Sequence, residues 1–147
     1  MNILSRKDSF NMRVKLLGDT KCPKAGREGD AGFDLFLNAD VKFPPHTTTV
    51  VDTGVCVELP KGHAGLLAMR SGVCKTGLII QQPLIDENYR GELHILIHNP
   101  NDVEYGYEKD SRICSLYVFP VYQGALEVVD ELSSSNRGTD WAGSSGK

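Results

Sequence analysis

Apolar residues in this chain alternate with polar ones over short runs, and over windows of about eleven residues they never form a stripe at helical spacing. That pattern restricts the fold to strands. Leu93, Ile95 and Ile97 alternate with His94, Leu96 and His98. Thr47 to Val51 is β-branched throughout, and Val55 to Leu59 alternates until Pro60 stops it. Ile113 to Phe119 is the strongest strand candidate, halted by Pro120. Further strands are expected at 14–17, 32–37, 64–69 and 78–80, at Val103 to Tyr107 pairing back across the Asn99–Asp102 turn, and last at Ala125 to Val129. Short strands spaced about 8–12 residues apart, with turn signals between them, predict an all-β chain: a jelly-roll-like antiparallel sandwich or barrel.

The chain has 147 residues, the size of one domain, and its few aromatics leave the core to Val, Leu and Ile. Residues 1–12 read as an N-terminal leader, 13–130 as the β domain, and 131–147 as a Ser- and Gly-rich tail. The tail's large side chains are Leu132 and Trp141. By composition it is a disordered end; Trp141 among small residues equally suits a flexible arm that folds over a ligand. A net charge of -3 argues against broad nucleic-acid affinity, which needs a positive field. It leaves room for a small polyanion, because a site needs only a few placed cations, and Arg70, Arg112 and Arg137 are candidates. Cys22, Cys56, Cys74 and Cys114 form no CxxC pair and no zinc pattern, and Cys56 and Cys114 read as buried free thiols. Without a signal peptide or an apolar spanning run, a soluble, cytoplasmic or otherwise intracellular protein is expected, with neither nucleic acid nor membrane as partner.

Several polar segments carry chemistry. Asp86 follows the apolar pair Leu84-Ile85 at the lip of a strand or hairpin, where a carboxylate can orient and deprotonate water. Tyr89, three residues on, offers a ring that can lie against a sugar; the same residues also suit an ordinary Asp–Asn turn over a half-buried Tyr. Arg70-Ser71-Gly72 offers a forked donor, a hydroxyl and approachable backbone N–H groups, as a phosphate requires, and equally makes a structural turn. Asp34 sits inside an apolar strand, so it needs a partner, a metal or a strand-end turn to cap.

These segments, in this order, resemble the motifs of the trimeric deoxyuridine triphosphatase (dUTPase) family. Ala31-Gly32-Phe33-Asp34-Leu35 is similar to its first motif, Arg70-Ser71-Gly72 to its second, Ile85-Asp86 with Tyr89-Arg90-Gly91-Glu92 to its third, Ser111 to Leu116 to its fourth, and Arg137-Gly138 through Gly143-Ser144-Ser145-Gly146 to its fifth. The resemblance implies a homotrimer with sites shared between subunits and a Mg²⁺ cofactor. It implies a deoxynucleoside triphosphate substrate, dUTP split into dUMP and pyrophosphate. It assigns Asp86 to the sugar and the attacking water, Tyr89 to the deoxyribose, and Arg90 to a structural contact. Asp34 stands behind the metal and pairs with Arg70, reaching the ion through water at most. Arg70, Ser71, Gly72, Ser115, Arg137, Gly143 and Ser144 are assigned to the phosphates, and Ile80, Gln81, Gln82, Pro83 and Trp141 to the base.

The departures from the family pattern converge on the base. Trp141 and Ala142 stand where the family has Gly and a stacking Phe, and Gln81-Gln82-Pro83 replaces a Gly-rich turn. Met69 replaces Pro, and Ser115 replaces a Gln that is long enough to reach phosphate. Two alternatives follow: a pyrophosphohydrolase for another pyrimidine deoxynucleotide, dCTP or a 5-substituted dUTP, and a non-catalytic nucleotide-binding regulator. A deaminase on a similar fold has no matching local signature here.

Overall fold

The computed structural model describes residues 11–81 and 83–140. The alternating segments form ten strands, and every paired strand in the described residues is antiparallel. One sheet runs β1 (Arg13–Leu16), β4 (Thr47–Glu58), β8 (Glu92–Asn99), β6 (Ile79–Gln81). The other runs β2 (Gly32–Leu35), β10 (Cys114–Pro120), β5 (His63–Met69), β7 (Leu84–Ile85). A ribbon of β3 (Val41–Phe43) and β9 (Tyr105–Tyr107) completes the set.

Both sheets feed one apolar cluster. Val55, Leu93, Ile95 and Ile97 come from the first sheet, and Leu35, Leu67, Cys114 and Leu116 from the second. The alternation read in 93–98 is realised: the odd positions are buried and the even ones lean outward. β4 is a single strand where two were expected, because a bulge between Asp52 and Cys56 carries the chain through Gly54. Gly54 has φ +69, and a Cβ there would strike Thr20 Oγ1, so only glycine serves. Thr53 is buried in the bulge and donates to Leu93 O at 2.7 Å. Asn99, wholly buried, donates to Phe43 O and Val103 O at 2.8 Å each and locks the end of β8 against the ribbon.

Two further expectations are corrected. Tyr105–Tyr107 pairs with Val41–Phe43 rather than back across the Asn99 turn, because Asn99 satisfies that turn internally and β3 offers a free edge. Ala125 to Val129 is not a strand; it joins no sheet among the described residues, leaving Leu126 and Val128 exposed. Ser71–Cys74 closes one short helical turn, α1, after Arg70, with Val73 and Cys74 N–H groups donating to Arg70 O. Among the described residues no helix is long and apolar enough to cross a membrane. Residues 1–10 of the expected leader, Gln82, and the tail from Trp141 through Gly143 and Ser144 to the end lie outside the described residues.

Candidate functional site

Antiparallel register places Asp34 of β2 opposite Ser115 of β10. Asp34 is 7% exposed, and a carboxylate so buried has to be partnered. Ser115 Oγ donates to its Oδ1 at 2.7 Å, and Arg112 Nη1 donates to its Oδ2 at 3.0 Å. Arg70 Nε lies 3.5 Å from Oδ1. Arg70 ends β5, and its carbonyl caps α1, so its side chain leaves the sheet at the edge of a recess of about 430 Å³. Asp30, Asp34, Arg70, Ser71, Ser115 and Tyr117 are among the residues that line it. Two guanidiniums share this one carboxylate, Arg70 on the recess wall and Arg112 behind Asp34. Ser71 and Gly72 are exposed at its rim.

The neighbouring thiol is not a nucleophile. Cys114 is buried beside Asp34, and loss of solvation, reinforced by that negative charge, pushes its pKa up to about 12.

Asp86 and Tyr89 occupy a different recess, of about 260 Å³, whose walls include Leu67, Pro83, Leu84, Leu93 and His94. It lies where the chain crosses between sheets, since β6 pairs with β8 in the first and β7 with β5 in the second. The turn is held from several sides. Tyr89 N donates to Asp86 O at 3.0 Å and Tyr89 OH to Glu92 O at 2.8 Å. Gly91 leaves room for that ring, because a Cβ there would overlap it. Arg90 Nη1 donates to Glu87 O at 2.6 Å and Tyr89 O at 3.1 Å, and its Nη2 lies 3.7 Å from Glu58 Oε1, so Arg90 is a structural contact within its own chain. Glu87 Oε2 accepts from Gly62 N at 2.6 Å, and this bond holds its pKa below the ordinary carboxylate value.

The residues expected from sequence thus fall into separate places. Asp34, Arg70, Ser71 and Ser115 come together, with Gly72 beside them. Asp86, Tyr89 and Pro83 come together elsewhere, and Ile80 and Gln81 lie in β6 leading to that crossing. Arg137 lies in the extended tail, where its Nε donates to Asp140 O at 3.0 Å, and it lines neither recess. Sequence reading missed Asp30 and Tyr117 on the first recess, although Asp30 stands in a conspicuously charged loop. It also missed a possible ligand set: Asp52, Glu92 and His94 place donor atoms within 4.8 Å of one another, a group suited to a divalent cation. His94 Nδ1 pairs with Asp52 Oδ1 at 2.9 Å, and Glu92 Oε1 accepts from Gly54 N at 2.6 Å. That group depends on the β4–β8 register, which no sequence spacing announces.

Comparison with known proteins gives one answer. The family model for dUTPase matches residues 19–146. A deoxyuridine 5'-triphosphate nucleotidohydrolase of Clostridioides difficile is 38% identical over 141 residues, covering 93% of this chain and 99% of that one. The Vaccinia virus (strain Copenhagen) protein of the same name is 33% identical over 141 residues, covering 94% of this chain and 96% of its own length. Among solved structures, the dUTPase of Staphylococcus bacteriophage 80alpha with dUPNHPP superposes with a TM-score of 0.87 at 32% identity, covering 93% of this chain and 99% of that one. The dUTPase of phage phi11 of S. aureus, in which a structural Mg(II) ion is coordinated, superposes at 0.76 with 27% identity, covering 83% and 98%.

Proposed function

The chain belongs to the dUTPase family, and from that premise we propose that it hydrolyses dUTP to dUMP and pyrophosphate at a site its two recesses build together. The observation that carries this reading is the shared carboxylate: Asp34 holds Arg70 on the wall of an open recess beside Ser71, and Arg112 on the wall of the adjoining one. Such a wall suits the phosphate chain, where planar guanidiniums meet phosphate oxygens in pairs. Tyr89, pinned through its hydroxyl, presents a fixed ring to the deoxyribose. Asp86 is exposed at the same turn and acts as the base that orients and deprotonates water for attack on the α-phosphorus. The α–β anhydride bond breaks and pyrophosphate leaves. Arg70 and Arg137 offset the charge that develops on the phosphates.

The donors present fit Mg²⁺ held chiefly by the substrate. Both oxygens of Asp34 are engaged by Ser115 and Arg112, so Asp34 would hold a bound ion through water, and exposed Asp30 offers a second carboxylate on the same recess. When bound, Mg²⁺ neutralises phosphate charge. The Asp52, Glu92 and His94 group suits a separate cation, and its imidazole nitrogen makes it less selective for Mg²⁺ than an all-oxygen site.

Closure of the sheets as a jelly roll and assembly as a homotrimer belong to the same reading. The segregation of Asp86 from Asp34 within one chain supports shared sites. So does the exposed segment at 124–135, which joins no sheet among the described residues, with Gly143, Ser144 and Trp141 further on as the proposed closing arm. The test is pyrophosphate release with Mg²⁺ across a panel of deoxynucleoside triphosphates, for the wild type and Asp86→Asn. The expected result is preference for dUTP and a loss of about 10²–10⁴-fold in the variant. Near-normal turnover by well-folded Asp86→Asn overturns the assignment. Pro83 on the recess wall favours a rebuilt base edge, so dCTP and 5-substituted dUTP belong in the panel. A regulatory role has one observation behind it: the phage 80alpha dUTPases to which this chain is similar control transfer of virulence genes.

A further inference from the structure

Beside the Asp34 recess lies a second one, of about 320 Å³, lined by Gly26, Arg27, Asp30, Arg70 and Arg112. The two recesses share Asp30 and Arg70, so a chain of phosphates seated at Arg70 and Ser71 reaches the second simply by extending past Asp30. Three guanidiniums face this second recess. Arg70 and Arg112 are bound to Asp34 on one side but remain 38% and 37% exposed, which leaves donors turned outward. Arg27 is exposed, and among the described residues its guanidinium makes no hydrogen bond or ion pair.

Its backbone, by contrast, is fixed. Arg27 N donates to Asp30 Oδ2 at 2.9 Å, and Asp30 N donates to Arg27 O at 3.2 Å. This reciprocal pair closes a tight turn and sets the direction in which Arg27 leaves the loop. A long cationic side chain with an anchored root and no partner, opposite two others, is what a terminal phosphate group needs.

We propose that this second recess is a subsite for a terminal phosphate group, with Arg27 as its recognition residue and Arg112 as its second donor. This rests on the dUTPase reading of the neighbouring recess. The phosphate comes from the intact triphosphate or from released pyrophosphate, and the chemistry of recognition is the same. Asp30 is the acidic residue on this wall.

The test is calorimetric titration, at fixed Mg²⁺, of a non-hydrolysable dUTP analogue, inorganic pyrophosphate and dUMP into the wild type, Arg27→Ala and Arg27→Lys. Arg27 is on an exposed loop and its turn is made by backbone groups, so melting should be unchanged. Arg27→Ala is expected to weaken the triphosphate analogue about 3- to 10-fold, an exposed charge-assisted contact being smaller than a buried one. Arg27→Lys should recover part of that, and dUMP affinity should not move. Pyrophosphate weakened in parallel means the subsite also retains product; pyrophosphate unchanged means it serves the intact substrate alone. Unchanged affinity for the triphosphate analogue in Arg27→Ala overturns the subsite, and so does an equal loss for dUMP. Failure of the dUTPase reading looks different: wild-type protein that releases no pyrophosphate from dUTP, whatever the binding contrast at Arg27.

Discussion

Ser115 shows how a single substitution redirects a site. On sequence it stands where the family has a longer Gln, and the natural inference is a phosphate contact weakened or bridged by water. In the fold its hydroxyl donates to Asp34 at 2.7 Å instead, from a position only 5% exposed. Ser115 therefore positions the carboxylate that positions Arg70 and Arg112. Ser115→Ala removes a hydrogen bond to a buried charged acceptor, a contact worth about 1.5–3 kcal/mol. The expected outcome is a drop in denaturant midpoint with an unchanged slope, and a rise in KM as the two guanidiniums lose their fixed anchor. An unchanged midpoint and KM would show that Arg112 alone holds Asp34. Asp34→Ala should cost more, about 3–5 kcal/mol, because two arginines lose their shared counter-charge in a partly buried place. The site chemistry at this scale was legible where residue type dictates it, as with a buried Asp demanding a partner. Which partner it takes depends on β2–β10 register, and that is set by packing across the whole sheet.

At the scale of elements, the turn from Asp86 to Arg90 is the piece whose rigidity matters most, because it aims both the base and the sugar ring. Glu87 ties it to the β4–β5 turn through Gly62 N, and Gly62 O in turn accepts from Val121 N at 2.9 Å, at the root of the tail. One residue, Gly62, thus joins the Asp86 turn to the departing arm through its N–H on one side and its carbonyl on the other. Glu87→Ala should lower kcat/KM about 3- to 30-fold with Asp86 intact, while Glu87→Gln, which keeps an acceptor oxygen, recovers most of it. The pH dependence has a definite sign. The folded-state pKa of Glu87 lies below its ordinary value of 4.5, so its stabilisation is complete above that value and is lost as pH falls through the folded pKa. Hydrogen exchange at Gly62 N–H should accordingly be protected at neutral pH and faster in Glu87→Ala; equal exchange in both proteins would refute the tie. Most strands were legible from alternation and from Pro stops. The exceptions share a cause. Residues 41–43 are short, and 105–107 chose that edge over the nearer one because Asn99 had already satisfied the intervening turn. Residues 125–129 have a strand's composition but no strand partner among the described residues, and composition does not report a missing edge.

At the scale of the molecule, two facts point the same way. Asp86 and Asp34 line different recesses, although both are assigned to one reaction. And among the described residues the chain beyond Pro120 joins neither sheet, with Leu126, Val128 and Leu132 at 92%, 99% and 88% exposure, an apolar series that a lone subunit leaves in water. Assembly would answer both, by bringing one subunit's Asp86 turn against another's Asp34 recess and giving the exposed segment a surface to cover. A homotrimer is therefore expected by light scattering over a range of concentrations. Subunit complementation is the sharper measurement. Asp86→Asn and Arg70→Ala should each be nearly inactive alone. If a site takes Asp86 from one chain and Arg70 from another, a mixed trimer regains sites in which both are wild type. Random exchange of equal amounts makes that about a quarter of all sites, since each required residue is intact in half of the chains. If instead every site is built from a single chain, no mixture can contain an intact one, and activity stays at the level of the two variants. Denaturation and co-refolding of the mixture ensures that subunits are redistributed at random before recovery is measured. A mixture that stays inactive after co-refolding, with each variant folded and trimeric, would return both recesses to one subunit and leave their separation to be closed by movement of the chain itself.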